Sequence, residues 1–196
     1  MDLDSLQRLD RLRVQQKITP FVNRYVVSAP GGATVAFVEQ KRFAFREQVT
    51  FYTDESRRHR LFGFKARSFV DIGTTYDVTG ADGTVLGRFR KDFTRSLLRS
   101  TWHLEPAAGD ARPAVGRERS LAIAVLRRAW DFIPFAEVVP FVVPYHFDFT
   151  AEGRRVMSVE RRLGLRDRYD VKIHDPALDR RLAIAQAVAL DALQSR

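Results

Sequence analysis

Basic side chains recur beside aromatic ones at the close of successive strand-like segments. Lys41 and Arg42 precede Phe43, Lys65 and Arg67 precede Phe69, and Arg88, Arg90 and Lys91 precede Phe93. Arginine presents a planar fork of donors that fits phosphate oxygens, and lysine supplies a compact charge. The chemistry this pattern offers is anion binding. Along Val85–Phe89, alternation puts Val85, Gly87 and Phe89 on one face and sends Leu86 and Arg88, with Arg90 after them, to the other. Equivalent positions in successive hairpins come to similar heights in a sheet, so the charges could form one patch. The competing reading is a solvated outer face.

Catalytic and metal-binding patterns are missing from the sequence. His59, His103, His146 and His174 have no second histidine or carboxylate at ligand spacing. His146 and Asp148 share one face of a strand, which reads as an outward polar pair. Gly-x-Ser-x-Gly, Walker and dinucleotide signatures do not occur, and Gly31-Gly32 leads into a strand. The expectation is a non-enzyme without metal or cofactor.

The elements that would position these groups are hairpins. Asn23–Val27 and Thr34–Val38 flank Pro30-Gly31-Gly32; Gln48–Tyr52 and Arg60–Phe64 flank Asp54-Glu55-Ser56; Thr75–Val78 and Thr84–Phe89 flank Asp82-Gly83. Asp-Gly tolerates the positive φ angles of tight hairpin turns. The closing residues Phe43, Phe69 and Phe93 lie 26 and 24 residues apart, a repeat of one supersecondary unit. Less regular copies begin at Ser100–Leu104 and at Tyr145–Phe149 with Arg155–Val159, and Arg168–Ile173 is a last strand. About six hairpins give roughly twelve antiparallel strands, and a sheet of that size closes to remove its edges. Such a barrel is too wide for its own side chains to fill.

The segment 175–194 supplies the filling. From Leu182 to Leu193 only Gln186 and Asp191 are polar, so a helix here has almost no face for water. It falls short of the roughly 20 apolar residues that span a bilayer, which leaves a protein interior as its enclosure. Asp175 is the expected N-cap and Pro176 the first helical residue. The fold class is therefore mainly β: a closed antiparallel barrel of about twelve strands around an apolar C-terminal helix, as one domain over residues 1–196.

Two segments depart from the hairpin pattern. Residues 1–16 carry Leu3, Leu6, Leu9 and Leu12 at a spacing of three among arginines, read as a short amphipathic helix leading into a strand. Residues 107–144 form a loop and an apolar insertion, with a helix expected over Arg119–Asp131. Its Arg127, Arg128, Trp130, Phe132 and Phe135 are candidate contacts for a membrane surface or a partner, and the competing reading is packing over one barrel end. Prolines and charges argue against a membrane-spanning helix here.

Composition narrows the partners. The net charge is +9, so an anionic lipid surface, an acidic protein or nucleic acid fits, nucleic acid on charge alone. Cysteine is absent, which excludes disulfides and palmitoyl attachment and suits a reducing cytoplasm. With an acidic start at Met1-Asp2 and no apolar leader, the expected location is cytoplasmic, peripheral to membranes.

The order of Leu12–Gln16, Asn23–Val27, Val35–Glu39, Tyr76–Val78, Asp82-Gly83, Leu86-Gly87, Arg90–Phe93, Tyr169–Val171 and the helix bearing Leu190-Asp191 resembles the tubby-like superfamily, in its LURP-one-related and phospholipid-scramblase branches. The resemblance implies a twelve-stranded barrel around a C-terminal helix, and phosphoinositide or other anionic lipid binding at a membrane surface. The scramblase pattern is broken in two places. The cysteine cluster is missing, and arginines dilute the acidic residues around Asp167 and Asp170, where calcium would need converging oxygens. The leading expectation is a non-enzymatic lipid-binding or adaptor barrel; the alternatives are a soluble protein-interaction module and, behind it, scramblase-like lipid redistribution.

Overall fold

The computed structural model describes residues 3–17, 19, 22–41, 48–67, 75–92, 100–107, 109–120, 146–162 and 168–193. A short helix α1 (Leu3–Gln7) is followed by β1 (Arg11–Lys17), β2 (Asn23–Ser28), β3 (Thr34–Lys41), β4 (Gln48–Tyr52), β5 (Arg60–Ala66) and β6 (Thr75–Gly80). Then come β7 (Val85–Asp92), β8 (Thr101–Pro106), β9 (Ala114–Glu118), β10 (His146–Ala151), β11 (Arg154–Arg162), β12 (Arg168–Ile173) and the helix α2 (Arg180–Ala192). Each strand pairs antiparallel with its neighbours in sequence, and β1 pairs with β12 to close a twelve-stranded barrel. The expected architecture is the one observed.

Period-two alternation explains the wall. Tyr25 and Val27 of β2, Tyr76 and Val78 of β6, and Tyr169, Val171 and Ile173 of β12 point inward and are buried, while the residues between them are partly exposed. Part of the inner lining is a run of aromatics. Phe51 stacks on Phe62 with centroids 4.1 Å apart, Phe64 meets Phe89 edge-on at 5.1 Å, and Tyr76 stacks on Phe89 at 5.3 Å.

Helix α2 fills the remaining interior, with Leu182, Ile184, Val188 and Leu190 all inaccessible to solvent. Two inward glycines make room. A Cβ at Gly87 would lie 2.8 Å from Leu182 Cδ2 and 2.6 Å from the Glu105 carbonyl oxygen, and one at Gly116 would lie 2.3 Å from the Phe149 ring. At the far end, Tyr25 Oη donates to Asp191 Oδ2 at 2.8 Å and the Tyr169 hydroxyl donates to Oδ1, so the strands on either side of β1 both clasp the last turn of the helix.

The helix starts later than its sequence suggested. Asp175 accepts from the Ala177 amide in a local turn, and the cap is Asp179, whose side chain accepts from the Arg181 amide at 2.8 Å. The buried Arg180 guanidinium donates to the carbonyls of Leu9, Pro176 and Leu178 at 2.7–2.8 Å, which holds 175–178 as a non-helical turn. Gln7 reaches the same point: its Nε2 donates to Asp179 and its Oε1 accepts from the Arg180 amide. The N-terminal helix is likewise shorter than the leucine spacing suggested. It spans only Leu3–Gln7, and Leu12 is a buried strand residue, since the spacing of three runs across two different elements. Arg119, expected to open a helix, instead extends the β9–β10 ladder through its amide to the His146 carbonyl at 2.7 Å. Ser120 is not helical either, and positions 121–131 of that expected helix lie outside the described residues.

Burial alone would raise the Asp179 carboxyl; hydrogen bonds from Arg181 and Gln7, with the Arg181 charge, outweigh it and hold the group below its ordinary range. A depressed folded-state value stabilises the protein at neutral pH, and that contribution disappears as pH falls below about 4. Asp179→Asn should therefore flatten the acid limb of a stability-versus-pH curve, measured by urea unfolding.

Gln186 is fully enclosed, and neither its Nε2 nor its Oε1 has a hydrogen-bond partner among the described residues. An unpaired buried amide costs about 1–3 kcal/mol. Replacing it with the similarly shaped Met should raise unfolding free energy by roughly 1 kcal/mol or more; a denaturant titration showing destabilisation would reveal a partner for the amide. Ile184→Asp, which puts a charge in the same interior, should abolish cooperative unfolding.

Candidate functional site

With the interior occupied, the accessible chemistry is on the outer wall. Strand β5 reads Arg60-Leu-Phe-Gly-Phe-Lys-Ala66, and Phe62, Phe64 and Ala66 point into the core. Gly63, Lys65 and Arg67 therefore face outward. In register, Gly63 lies between Thr50 of β4 and Thr79 of β6, so three small residues form a floor. Lys65 lies between Gln48 and Asp77 on one side of that floor.

Arg60 borders the other side because of a register shift. Tyr52 pairs with Arg60 directly after Phe51 pairs with Phe62, which leaves Leu61 as the extra residue of a bulge. Strict alternation would have put Arg60 on the inner face beside Phe62. The bulge turns it outward, where its Nη2 donates to Thr79 Oγ1 at 2.8 Å and lies 3.4 Å from the Cβ position of Gly63. Arg60 was not singled out from the sequence, since a bulge is invisible to a period-two reading.

Together these residues line an outer cleft of about 450 Å³, with Arg60, Lys65 and Arg67 facing the single carboxylate Asp77. Arg67 Nε binds Asp77 Oδ2 at 2.6 Å. Among the described residues, no carboxylate comes within 4.0 Å of the Arg60 or Lys65 nitrogens. The volume lies within the range of small-ligand sites, and the donors suit phosphate oxygens.

The remaining basic positions do not converge here. Arg88, one strand further on, faces Asp77 in register and binds Glu105 Oε2 through Nε at 2.7 Å. Arg90 is half-buried opposite Thr75 and His103. Lys91 falls on the face lined by Phe89, with its ammonium 6.0 Å from the Trp102 ring centroid. The backbone of Lys41 pairs with Gln48, while its side chain lies outside the described residues, as do Arg42, Arg127, Arg128, Trp130, Phe132 and Phe135. The sequence thus located Lys65 and Arg67 of the cleft and missed Arg60.

The opposite part of the wall is electrostatically matched. Arg119 donates to both oxygens of Asp148 at 2.9 Å and reaches Glu160 at 3.3 Å, so its guanidinium is held charged and the Asp148 carboxyl is held below its ordinary value. His146, on the same face, is pushed down by burial and by the Arg119 charge. Ser158 Oγ sits 3.3 Å from His174 Nε2, the spacing of a nucleophile and base. Asp148, their register neighbour, has both oxygens committed to Arg119 and so does not orient the imidazole. Among the described residues no cluster of histidine and carboxylate groups could hold a metal, and no helix is long and apolar enough to cross a membrane.

Comparison with known proteins adds one finding. The family model described as LURP-one-related matches residues 34–191, from the start of β3 into the last turn of α2. No curated protein and no solved structure matches the chain. A match over most of the sequence, joined to a closed twelve-stranded barrel with a C-terminal helix, shows that the chain belongs to the LURP-one-related family of the tubby-like superfamily.

Proposed function

We propose that this domain is a non-catalytic module that binds anionic lipid head groups in the β4–β6 cleft and works as an adaptor at a membrane surface. The observation that carries this reading is the hollow over Gly63, where Arg60 and Lys65 face solvent without a carboxylate partner. Barrels of this family are generally non-enzymatic, in keeping with a binding role. The interior supports it in a different way: it is filled by α2, so a ligand has to be taken on the outside. Uncompensated cations on a low-dielectric wall attract phosphate groups, and the +9 net charge extends that attraction beyond the cleft.

Co-sedimentation with phosphatidylcholine vesicles, with and without a phosphoinositide, tests the proposal. The protein should pellet only with the anionic vesicles, and rising salt should release it. Lys65→Glu should weaken binding by about tenfold or more, a loss of roughly 1.4 kcal/mol. Equal pelleting with neutral vesicles, or binding indifferent to Lys65→Glu, would rule this cleft out as the head-group site.

A further inference from the structure

The strand pair that closes the barrel carries a second basic cleft, whose charges are in a less stable arrangement than those of the first. On β1 and β12, Leu12 and Val171 point inward, so Arg11 and Arg13 face outward with Lys172 and Asp170. The register sets Arg13 opposite Asp170 but Arg11 directly opposite Lys172. Like charges in direct cross-strand register repel. Among the described residues only one carboxylate reaches this pair, and it reaches Lys172 alone while also pairing with Arg119 and Arg162. Arg11 has no ion pair there, the residue on the other side of Lys172 is Ser158, and the nearest carboxylate to Lys172 is Glu160 at 3.9 Å.

Asp170 is fully engaged elsewhere. Its Oδ1 accepts from Arg13 Nε at 3.4 Å and its Oδ2 from Arg162 Nε at 2.9 Å. Burial opposes ionisation of Asp170, and these two guanidiniums outweigh it, so the carboxyl is held below its ordinary range. Its structural effect is to fix two guanidiniums side by side. The resulting cleft, about 260 Å³, is lined by Arg11, Arg13, Arg162 and Lys172 with Asp170 and with Pro30 from the β2–β3 turn. Four cations thus line the cleft with one carboxylate whose oxygens are already taken, and the neighbouring Glu160 is shared among Arg119 at 3.3 Å, Arg162 at 3.6 Å and Lys172 at 3.9 Å.

We infer that this seam is a second anion site, for a phosphate monoester or diphosphate group that bridges Arg11 and Lys172. The site is separate from the β4–β6 cleft, since β1 and β5 are four strand intervals apart around the barrel. Its location gives the ligand a structural effect. An anion that binds only when β1 and β12 are paired stabilises the closed barrel in proportion to its concentration.

Thermal unfolding of the full chain in pyrophosphate, against chloride at matched ionic strength, tests the inference. Pyrophosphate should raise the melting temperature of the wild type beyond chloride. In Lys172→Gln and Arg11→Gln most of that rise should vanish, while the melting temperature in chloride stays equal to or above that of the wild type, because a repulsion has been removed. Lys65→Gln, which alters the other cleft, should retain the seam-dependent rise. No pyrophosphate effect in the wild type, an undiminished rise in both seam variants, or a rise lost only in Lys65→Gln would overturn the site. The phosphate source is read with phosphatidylcholine vesicles containing phosphatidic acid. Pelleting that Lys172→Gln reduces assigns the site to a lipid phosphate, and protection by pyrophosphate without such pelleting assigns it to a soluble one.

Discussion

A twelve-stranded barrel encloses more space than its inward side chains fill, and the structure rests on the match between that space and one helix. Leu182, Ile184, Val188 and Leu190 meet the aromatic and β-branched lining, and the close approach at Gly87 shows how little slack remains. The same fit determines which surface is accessible. A barrel with an open lumen takes its ligand inside, as in the smaller lipid-carrying barrels. Here the lumen holds part of the chain itself, which leaves the outer wall as the accessible surface.

On that wall the cations are unevenly matched. Around β10–β11, Arg119 and Arg155 sit against Asp148 and Glu160, and Glu160 also reaches Arg162 and Lys172 of the seam. Around β5 and along the β1–β12 seam, cations outnumber the carboxylates that face them. Exposed ion pairs contribute little to stability on their own. Their larger consequence is to leave a strongly basic surface with two places where cations outnumber the carboxylates lining the same cleft.

Much of the architecture was legible in the sequence because hairpin repeats and an all-apolar helix are local signals. Asp82-Gly83 marks a turn without reference to the rest of the fold, and the alternation in Thr75–Val78 marks a strand in the same way. The misreadings came where a distant group decides. Asp175-Pro176 looks like a helix start by itself, but Arg180 and Gln7 reorganise the turn around Asp179. Arg60 needed a bulge to face outward, and the Arg11–Lys172 pair exists only once the first strand meets the last. The residues of the two clefts are harder to read than the strands because cross-strand register, which period alone does not specify, brings them together.

The order of elements along the chain has a consequence for synthesis. The lining strands emerge first, and α2 comes after all twelve, so the inner faces of the hairpins are complete before their filling exists. Gln7 then bonds Asp179 across 172 positions, and β1 must wait for β12. Such non-local pairing folds slowly and exposes apolar strands meanwhile. Barrel closure therefore has to wait for the last strand and the helix, and until then the hairpins have only their charged outer faces to keep their apolar inner faces apart.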